Sequence, residues 1–366
     1  MANSTTLRVV IAGGGTGGHL YPGIAVAREL LNRRPDAVVT FAGTASGLEA
    51  RVLPREGFDV DFIRSAGLKG KSPLALARGL VLLPPSALDA WRVVSRRAPH
   101  VVMGVGGYSS GPIVLVAALR GVPTLVLEQN ALPGLTNRLL ARFVSAAAVT
   151  YESALPYFCG KGFVSGNPVR PEFFIGSGGA KEERPDDVTR VLIVGGSTGA
   201  HALNVAMVEA APELARRRGT VSVTHQTGER DLELVREGYR RAGLPATVEP
   251  FLHAMDREMT RADVIVCRAG ATTLAEVTAV GRAAILVPLP TAADDHQRKN
   301  AEVLAGAGAA ELIEQHALTG PVLAARVLAL AGDPARRAAM AGAARRFARP
   351  DAARVIVDRA LELAGR

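Results

Sequence analysis

Short runs rich in β-branched residues alternate along the chain with longer stretches of helical period. LRVVIA, AVVTFAG, FDVDFI, HVVMGV, PTLVLE and SAAAVT read as strands in the first half, with helical patterns such as GIAVARELLNRR between them. These strands are apolar at nearly every position, the mark of a parallel sheet covered by helices on both faces. At GNPVRPEFF the chemistry changes, and the polar stretch 176–187, GSGGAKEERPDD, cannot build a core and reads as a linker with a loop. A second series then runs through TRVLIV, TVSVTHQTG, ATVEPFL, ADVIVCRAG, AAILVPLP and GAAELIE. The pattern predicts an α/β protein of two doubly wound, parallel-sheet units, residues 1–166 and 167–349. After the helical run 333–348, the segment PDAARVIVDRALELAGR, 350–366, is expected to form a last helix that returns to the first unit.

Length agrees with that division, since 366 residues suit two domains, each with its own core. The net charge of +9 should draw the molecule to polyanions: phosphorylated metabolites, an anionic membrane or nucleic acid. Nucleic acid is the weakest of the three, because aromatics are only 4% and a basic face interleaved with aromatics is not evident. Cys159 and Cys267 are the sole cysteines, with no disulfide or zinc spacing, which fits a reducing cytoplasm. The opening MANSTTLRVVIAGGG lacks the form of a signal peptide. No run approaches the ~18 apolar residues of a membrane span; the richest, 74–91, is broken by Arg78 and Pro84-Pro85.

Candidate chemistry gathers at the strand ends. GGGTGGHLYPG, 13–23, holds Gly14, Gly15, Thr16, Gly17, Gly18 and His19 between a strand and a helix, with Pro22 expected in the first helical turn. Bare backbone there permits close approach of an anion or sugar, although a tight turn alone also favours glycine. A dinucleotide fingerprint would place an acid about 20 residues on, at the tip of the second strand. TFAGTASGLE has none at its tip, so NAD binding is disfavoured. GVGGYSSGP brings Gly106, Gly107, Tyr108 and Ser109 to the same sheet edge, and two such nests suit a pyrophosphate. Glu128, Gln129 and Asn130 of LEQNALPG follow the next strand; Glu128 reads as a general base, a hydroxyl acceptor or a helix-capping acid.

In the second half GGSTGAHALN offers Ser197, and CRAGATTLAEVTAVG sets Glu276 less than two turns beyond Gly270, as a ribose acceptor or as a dipole-favoured acid in a first turn. His296 and Gln297 follow AADD at a helix start, with Asp294 the expected cap.

Taken in order, GGGTGGH, GGYSSGP, EQN, GNPVR, GGSTGA, CRAGATTLAE and DHQRKNA, with RSAGLKGK at 64–71, closely resemble the MurG family of bacterial UDP-N-acetylglucosamine transferases. The resemblance spans residues 8–345 and implies the GT-B architecture, two Rossmann-like domains facing a cleft. It implies the inverting transfer of GlcNAc from UDP-GlcNAc to the 4-hydroxyl of MurNAc in lipid I, giving lipid II for peptidoglycan, cell shape and cell division. Matched motif by motif, it places Arg170 and Ser197 near the nucleotide and diphosphate, and Leu252 and Met255 around the uracil. Ala271 falls at the phosphate, Glu276 at the ribose, and His296, Gln297 and Asn130 at the GlcNAc hydroxyls. Thr16, Gly17, Gly18 and His19 fall beside the transferring sugar, while Gly14, Gly15, Gly106, Gly107, Tyr108 and Ser109 are left for the acceptor pyrophosphate. His296-Gln297 departs from a Gln-Gln pair of some relatives, and the insert 176–187 matches no motif.

His19 is the first candidate for the base and Glu128 the second, since an imidazole with a reference pKa of about 6.5 accepts a proton at cytoplasmic pH. No Asp-x-Asp motif sits at a strand end, so no metal is expected to be tightly held, and loosely bound Mg²⁺ stays compatible. The expected partners are UDP-GlcNAc, lipid I, the anionic inner leaflet and other cell-wall enzymes, at the cytoplasmic face of the membrane. Residues 74–97, apolar with Arg78, Arg92, Arg96 and Arg97, suit an interfacial contact or an ordinary amphipathic helix pair. A UDP-sugar epimerase of the same architecture is the nearest rival, separable by a reaction that needs no acceptor.

Overall fold

The computed structural model describes residues 6–65, 82–175, 188–196, 199–217 and 221–365. The chain divides into two compact units, Met1–Val169 with Arg349–Arg366, and Arg170–Ala348. The first crossing lies at 169/170, three residues beyond the border read from the sequence.

In the first unit the strands are β1 (Arg8–Gly13), β2 (Val38–Gly43), β3 (Asp59–Phe62), β4 (Val101–Gly106), β5 (Thr124–Glu128), β6 (Ala146–Val149) and β7 (Gly162–Val164). They form one parallel sheet in the order β3-β2-β1-β4-β5-β6-β7. Every residue of β4 and β5 is buried, as the unbroken apolar runs require. The edge strand β7, only Gly-Phe-Val, was not legible in the hydrophobic pattern, being too short to show a period. One face packs Leu20, Ile24 and Leu30 of the helix Gly17–Arg33 together with Ile356, Val357 and Ala360 of the helix Ala352–Leu363. Burying each large aliphatic side chain contributes about 1.5–3 kcal/mol, so this last helix is held by its apolar stripe.

The second unit contains β8 (Thr189–Val194), β9 (Val221–Gln226), β10 (Ala246–Glu249), β11 (Val264–Cys267), β12 (Ala283–Leu286) and β13 (Glu311–Leu312). Their order, β10-β9-β8-β11-β12-β13, is that of a Rossmann sheet. In each unit the order reverses beside its first strand, at β1/β4 and at β8/β11. Such switch points are where open α/β sheets bind ligands, outside the carboxyl ends of the strands. All four of those strands end in the glycine turns picked out above.

Two local expectations are corrected. Pro22 is the sixth residue of its helix, because the helix already begins at Gly17; the glycines supply helical turns as well as the bend before them. Asp295, and not Asp294, occupies the cap position of the helix His296–Gly306, and it caps with no side-chain bond. Both aspartates have φ of 55°, a left-handed backbone, and Asp295 is instead paired with Arg298.

Candidate active site

The first switch point is built by two glycine turns in direct contact. The register of β1 on β4 shifts at the end of the strands, where Gly13 comes opposite Gly106. A Cβ on Gly107 would stand 2.7 Å from the Gly14 carbonyl oxygen, so a side chain here would force the turns apart. Gly106 has φ of 99°, and a Cβ on it would stand 2.6 Å from Cδ2 and 3.0 Å from Nε2 of His19. The imidazole thus rests on the second turn. His19 is the third residue of its helix, and its Nδ1 lies 3.2 Å from the hydroxyl of Thr16, the residue before that helix. Thr16, Gly17, Gly18, His19, Gly106 and Gly107 are therefore brought together.

Gly14 and Gly15 are not offered to a ligand in the expected way. The Gly15 N–H donates to Oε2 of Glu49 at 2.7 Å, and Gly14 is buried against the same carboxylate. A pyrophosphate at Gly15 would share one N–H with an anion already there, so Gly15 is withdrawn from the pyrophosphate set. Tyr108 is 40% exposed, whereas Ser109 is 2% exposed and cannot present its hydroxyl to solvent. Ser110 donates its hydroxyl to the Gly107 carbonyl at 2.9 Å and closes the turn.

Glu128 ends β5, buried, with four donors on its two oxygens. Oε1 accepts from the Asn130 backbone at 3.0 Å and its Nδ2 at 3.2 Å; Oε2 accepts from Gly134 N–H at 3.0 Å and Asn137 Nδ2 at 2.9 Å. Burial pushes its pKa up, while these donors pull it back. Every lone-pair direction of the carboxylate is in use, so accepting a substrate proton would break a bond. The geometry makes Glu128 the brace of the 128–137 loop, and through it the support of half-buried Asn130.

In the second unit Ser197 lies outside the described residues, but the ends of its turn do not. Gly199 has φ of 77°, and a Cβ there would collide with the Thr227 carbonyl. Gln226, the last residue of β9 and 2% exposed, bridges two loops: Nε2 donates to the Gly196 carbonyl at 3.0 Å and Oε1 accepts the Leu252 N–H at 3.0 Å. If Leu252 reads a base through its backbone, it must do so with its carbonyl, since its N–H is taken. Met255, half-buried, opens the helix Met255–Arg261.

Behind these loops runs a buried polar chain. His225 Nδ1 lies 2.6 Å from the Tyr239 hydroxyl and its Nε2 lies 3.0 Å from Asn204 Oδ1, while Asn204 Nδ2 donates to the Thr227 carbonyl and to Asp231, each at 2.9 Å. Burial pushes the His225 pKa down to about 3, so the ring is neutral.

The helix Ala271–Val280 follows Gly270, with Ala271 as its first residue. Glu276 is its sixth, which rules out the reading as a first-turn acid. Burial pushes its pKa up to about 7, and Arg170 acts against that rise. Among the described residues no hydrogen bond reaches this carboxyl. Arg170, exposed, also stacks on Phe173 with its guanidinium 5.1 Å from the ring centre. His296 and Gln297 open the next helix; Gln297 Oε1 accepts the Leu289 N–H at 3.0 Å, and His296 Nδ1 lies 2.6 Å from the Ala293 carbonyl.

The Glycosyltransferase family 28 N-terminal domain matches residues 9–149, and the family's C-terminal domain matches residues 190–356. A protein of Anaeromyxobacter sp. (strain Fw109-5), named UDP-N-acetylglucosamine--N-acetylmuramyl-(pentapeptide) pyrophosphoryl-undecaprenol N-acetylglucosamine transferase, is 49% identical over 98% of this chain and 94% of its own. The crystal structure of Acinetobacter baumannii MurG superposes with a TM-score of 0.80 at 32% identity, covering 97% of this chain and 99% of that one. The chain belongs to the MurG family. It is accordingly a glycosyltransferase with the two-unit GT-B fold. A UDP-GlcNAc 2-epimerase from Neisseria meningitidis shares this fold at a TM-score of 0.66, with 14% identity, 98% of this chain and 100% of that one covered. That likeness is one of fold alone.

Sequence reasoning toward the MurG family missed Glu49 and Gln226. Glu49 stands six residues past the end of β2, beyond the strand tip at which an acid was sought. Gln226 is the last letter of a strand otherwise read only for its apolar residues.

Proposed function

We propose that the protein transfers GlcNAc from UDP-GlcNAc to the 4-hydroxyl of MurNAc in undecaprenyl-pyrophosphoryl-MurNAc-pentapeptide, lipid I, with inversion, giving lipid II and UDP. Glu276 is the observation that carries the reading: a half-buried carboxyl without a hydrogen-bond partner among the described residues, its pKa raised to about 7 by desolvation, beside the cation of Arg170. Two ribose hydroxyls are the donors such a group lacks, and they would favour its ionised form.

The donor chemistry belongs to the second unit and the acceptor chemistry to the first. Charge grows on the β-phosphate as the anomeric C–O bond breaks, and the backbone N–H groups at the helix starts after Gly199 and Gly270, with Arg170, are the groups that would stabilise it. The acceptor oxygen bonds to the anomeric carbon from the opposite side, its proton passes to Nε2 of His19, and the electron pair of the broken bond leaves with UDP. For that step Nδ1–H of His19 must donate to Thr16 Oγ1, which leaves Nε2 unprotonated. A base of this kind contributes roughly 10²–10⁴-fold. No tightly held metal is invoked; turnover should survive EDTA, with at most a modest gain from added Mg²⁺.

The acceptor is lipid-linked, so the protein would work at the cytoplasmic face of the membrane as a peripheral protein. Among the described residues no helix is long and apolar enough to cross a membrane. The helix Leu83–Arg97 exposes Leu83, Leu88 and Trp91, which suits an interfacial contact. Its arginines are partly neutralised: Arg96 and Arg97 bond Asp61 at 2.6 and 2.8 Å, and Arg92 approaches Asp89 at 3.8 Å. Arg78 and the rest of 66–81 lie outside the described residues.

Labelled UDP-GlcNAc incubated with a lipid I analogue should release UDP and yield a β-linked disaccharide lipid. Conversion of UDP-GlcNAc to its 2-epimer without acceptor would overturn the proposal in favour of an epimerase.

A further inference from the structure

The Glu49 side chain is fully buried, and nothing in the proposed chemistry uses it. Its oxygens are filled from the loops on either side. Oε2 accepts the Gly15 N–H at 2.7 Å, and Oε1 accepts the Thr44 N–H at 2.8 Å and the Thr44 hydroxyl at 3.0 Å. Side chains on Gly14, Gly43 or Gly47 would run into this carboxylate, so three positions stay bare to admit it. Among the described residues no cation pairs with it.

A carboxylate buried without a counter-cation is costly unless hydrogen bonds replace its lost water. Here they do, and all three come from groups that fix backbone: one in the turn after β1, two in the turn after β2. The bond to Gly15 determines where the chain goes next. The next residue is Thr16, whose hydroxyl meets His19, and the His19 ring then lies on Gly106.

We infer that Glu49 is a positioning residue for the acceptor-side chemistry, an anion built into the first glycine turn that fills the turn's own amide and so sets Thr16 and His19. The turn that looks like a cradle for a ligand anion is a cradle, and at Gly15 its occupant is covalently attached. This inference rests on the proposed role of His19 as the base.

The test is a double-mutant cycle of Glu49→Ala with His19→Ala, read as kcat and donor KM with a lipid I analogue, and as UDP affinity by calorimetry. Glu49→Ala should lower kcat about 10–100-fold, the scale of a misplaced reacting group, and leave UDP affinity within about twofold, as expected where the proposed UDP groups belong to the other unit and share no partner with Glu49. Added formate, a free carboxylate, should restore part of the lost rate. In the double variant the loss should exceed that of His19→Ala by no more than about twofold, because residues acting as one unit are not additive. Losses that multiply, or a fall in UDP affinity as large as the fall in kcat, would show a merely structural carboxylate and sink the inference. Should Glu49→Ala not fold, Glu49→Gln carries the same cycle: it keeps the volume but turns an NH₂ toward an N–H donor. If His19→Ala costs nothing, the assignment of the base falls, and this inference with it, in a measurement where Glu49 is intact.

Discussion

Replacing Glu276 by glutamine should make the ligand-free protein more stable and the enzyme worse. In the folded chain the carboxyl has been raised from its ordinary 4.5 to about 7 by burial. At about 1.4 kcal/mol per pH unit, that rise corresponds to about 3 kcal/mol against the ionised form. The sign follows from linkage. A carboxyl whose folded pKa is raised supports the fold fully below its unfolded pKa, and that support is lost as pH rises through about 7. Glu276→Gln has no charge to bury, so its advantage over the parent should be about 3 kcal/mol near pH 8 and about 1 kcal/mol near pH 5. For a unit of this size the larger figure is roughly 5–10 °C in Tm. Scanning calorimetry of both proteins at the two pH values reads the difference, and repeating it with saturating UDP should remove or invert the gain. A variant no more stable than the parent near pH 8, or a gain equal at both pH values, would refute the reasoning about this carboxyl.

Three further outcomes are expected. Gly106→Ala sets a methyl group 2.6 Å from the His19 ring on a backbone with φ of 99°; kcat should fall about 10–100-fold with UDP affinity unchanged, as steady-state kinetics and a UDP titration would show. Gln226→Leu strands the Leu252 N–H and the Gly196 carbonyl together; UDP should bind about tenfold or more weakly, while KM for the acceptor stays put. The His225 ring, its pKa pushed down to about 3, supports the fold above about pH 6.5, and that support is lost as pH falls toward 3. Urea melts between pH 7 and 4 should therefore show a flatter acid slope for His225→Gln than for the parent, even if the variant starts less stable.

Most of the architecture was legible because a buried parallel strand is apolar at every position. The central strands β1, β4, β5, β8, β11 and β12 stand out in this way, while β3, β10 and β13 toward the sheet edges mix polar with apolar residues and β7, three residues at an edge, shows no pattern at all. Glycine turns were legible for a similar reason: a strand end that must meet another backbone cannot carry side chains, as Gly13 and Gly107 show. What could not be read was which group fills each turn. Glu49 reaches Gly15 across 34 positions and Gln226 reaches Leu252 across 26, and no local pattern announces a contact made through tertiary structure. Glu128 was visible as a candidate, but whether it holds a proton or a loop depends on Gly134 and Asn137, which only the fold brings to it.

The path of the chain through the two units carries a consequence for biosynthesis. Arg170–Ala348 is contiguous, so all of its sheet is present once that stretch has left the ribosome. The first unit is made earlier but waits for Ile356, Val357 and Ala360 to seal one face of its core. The part translated second can therefore close first, and the part translated first spends the interval with the apolar residues of the helix Gly17–Arg33 incompletely covered. A chain cut short after residue 349, which keeps Arg170–Ala348 whole but lacks Ile356, Val357 and Ala360, should have a distal half that resists protease while its proximal half is still cut.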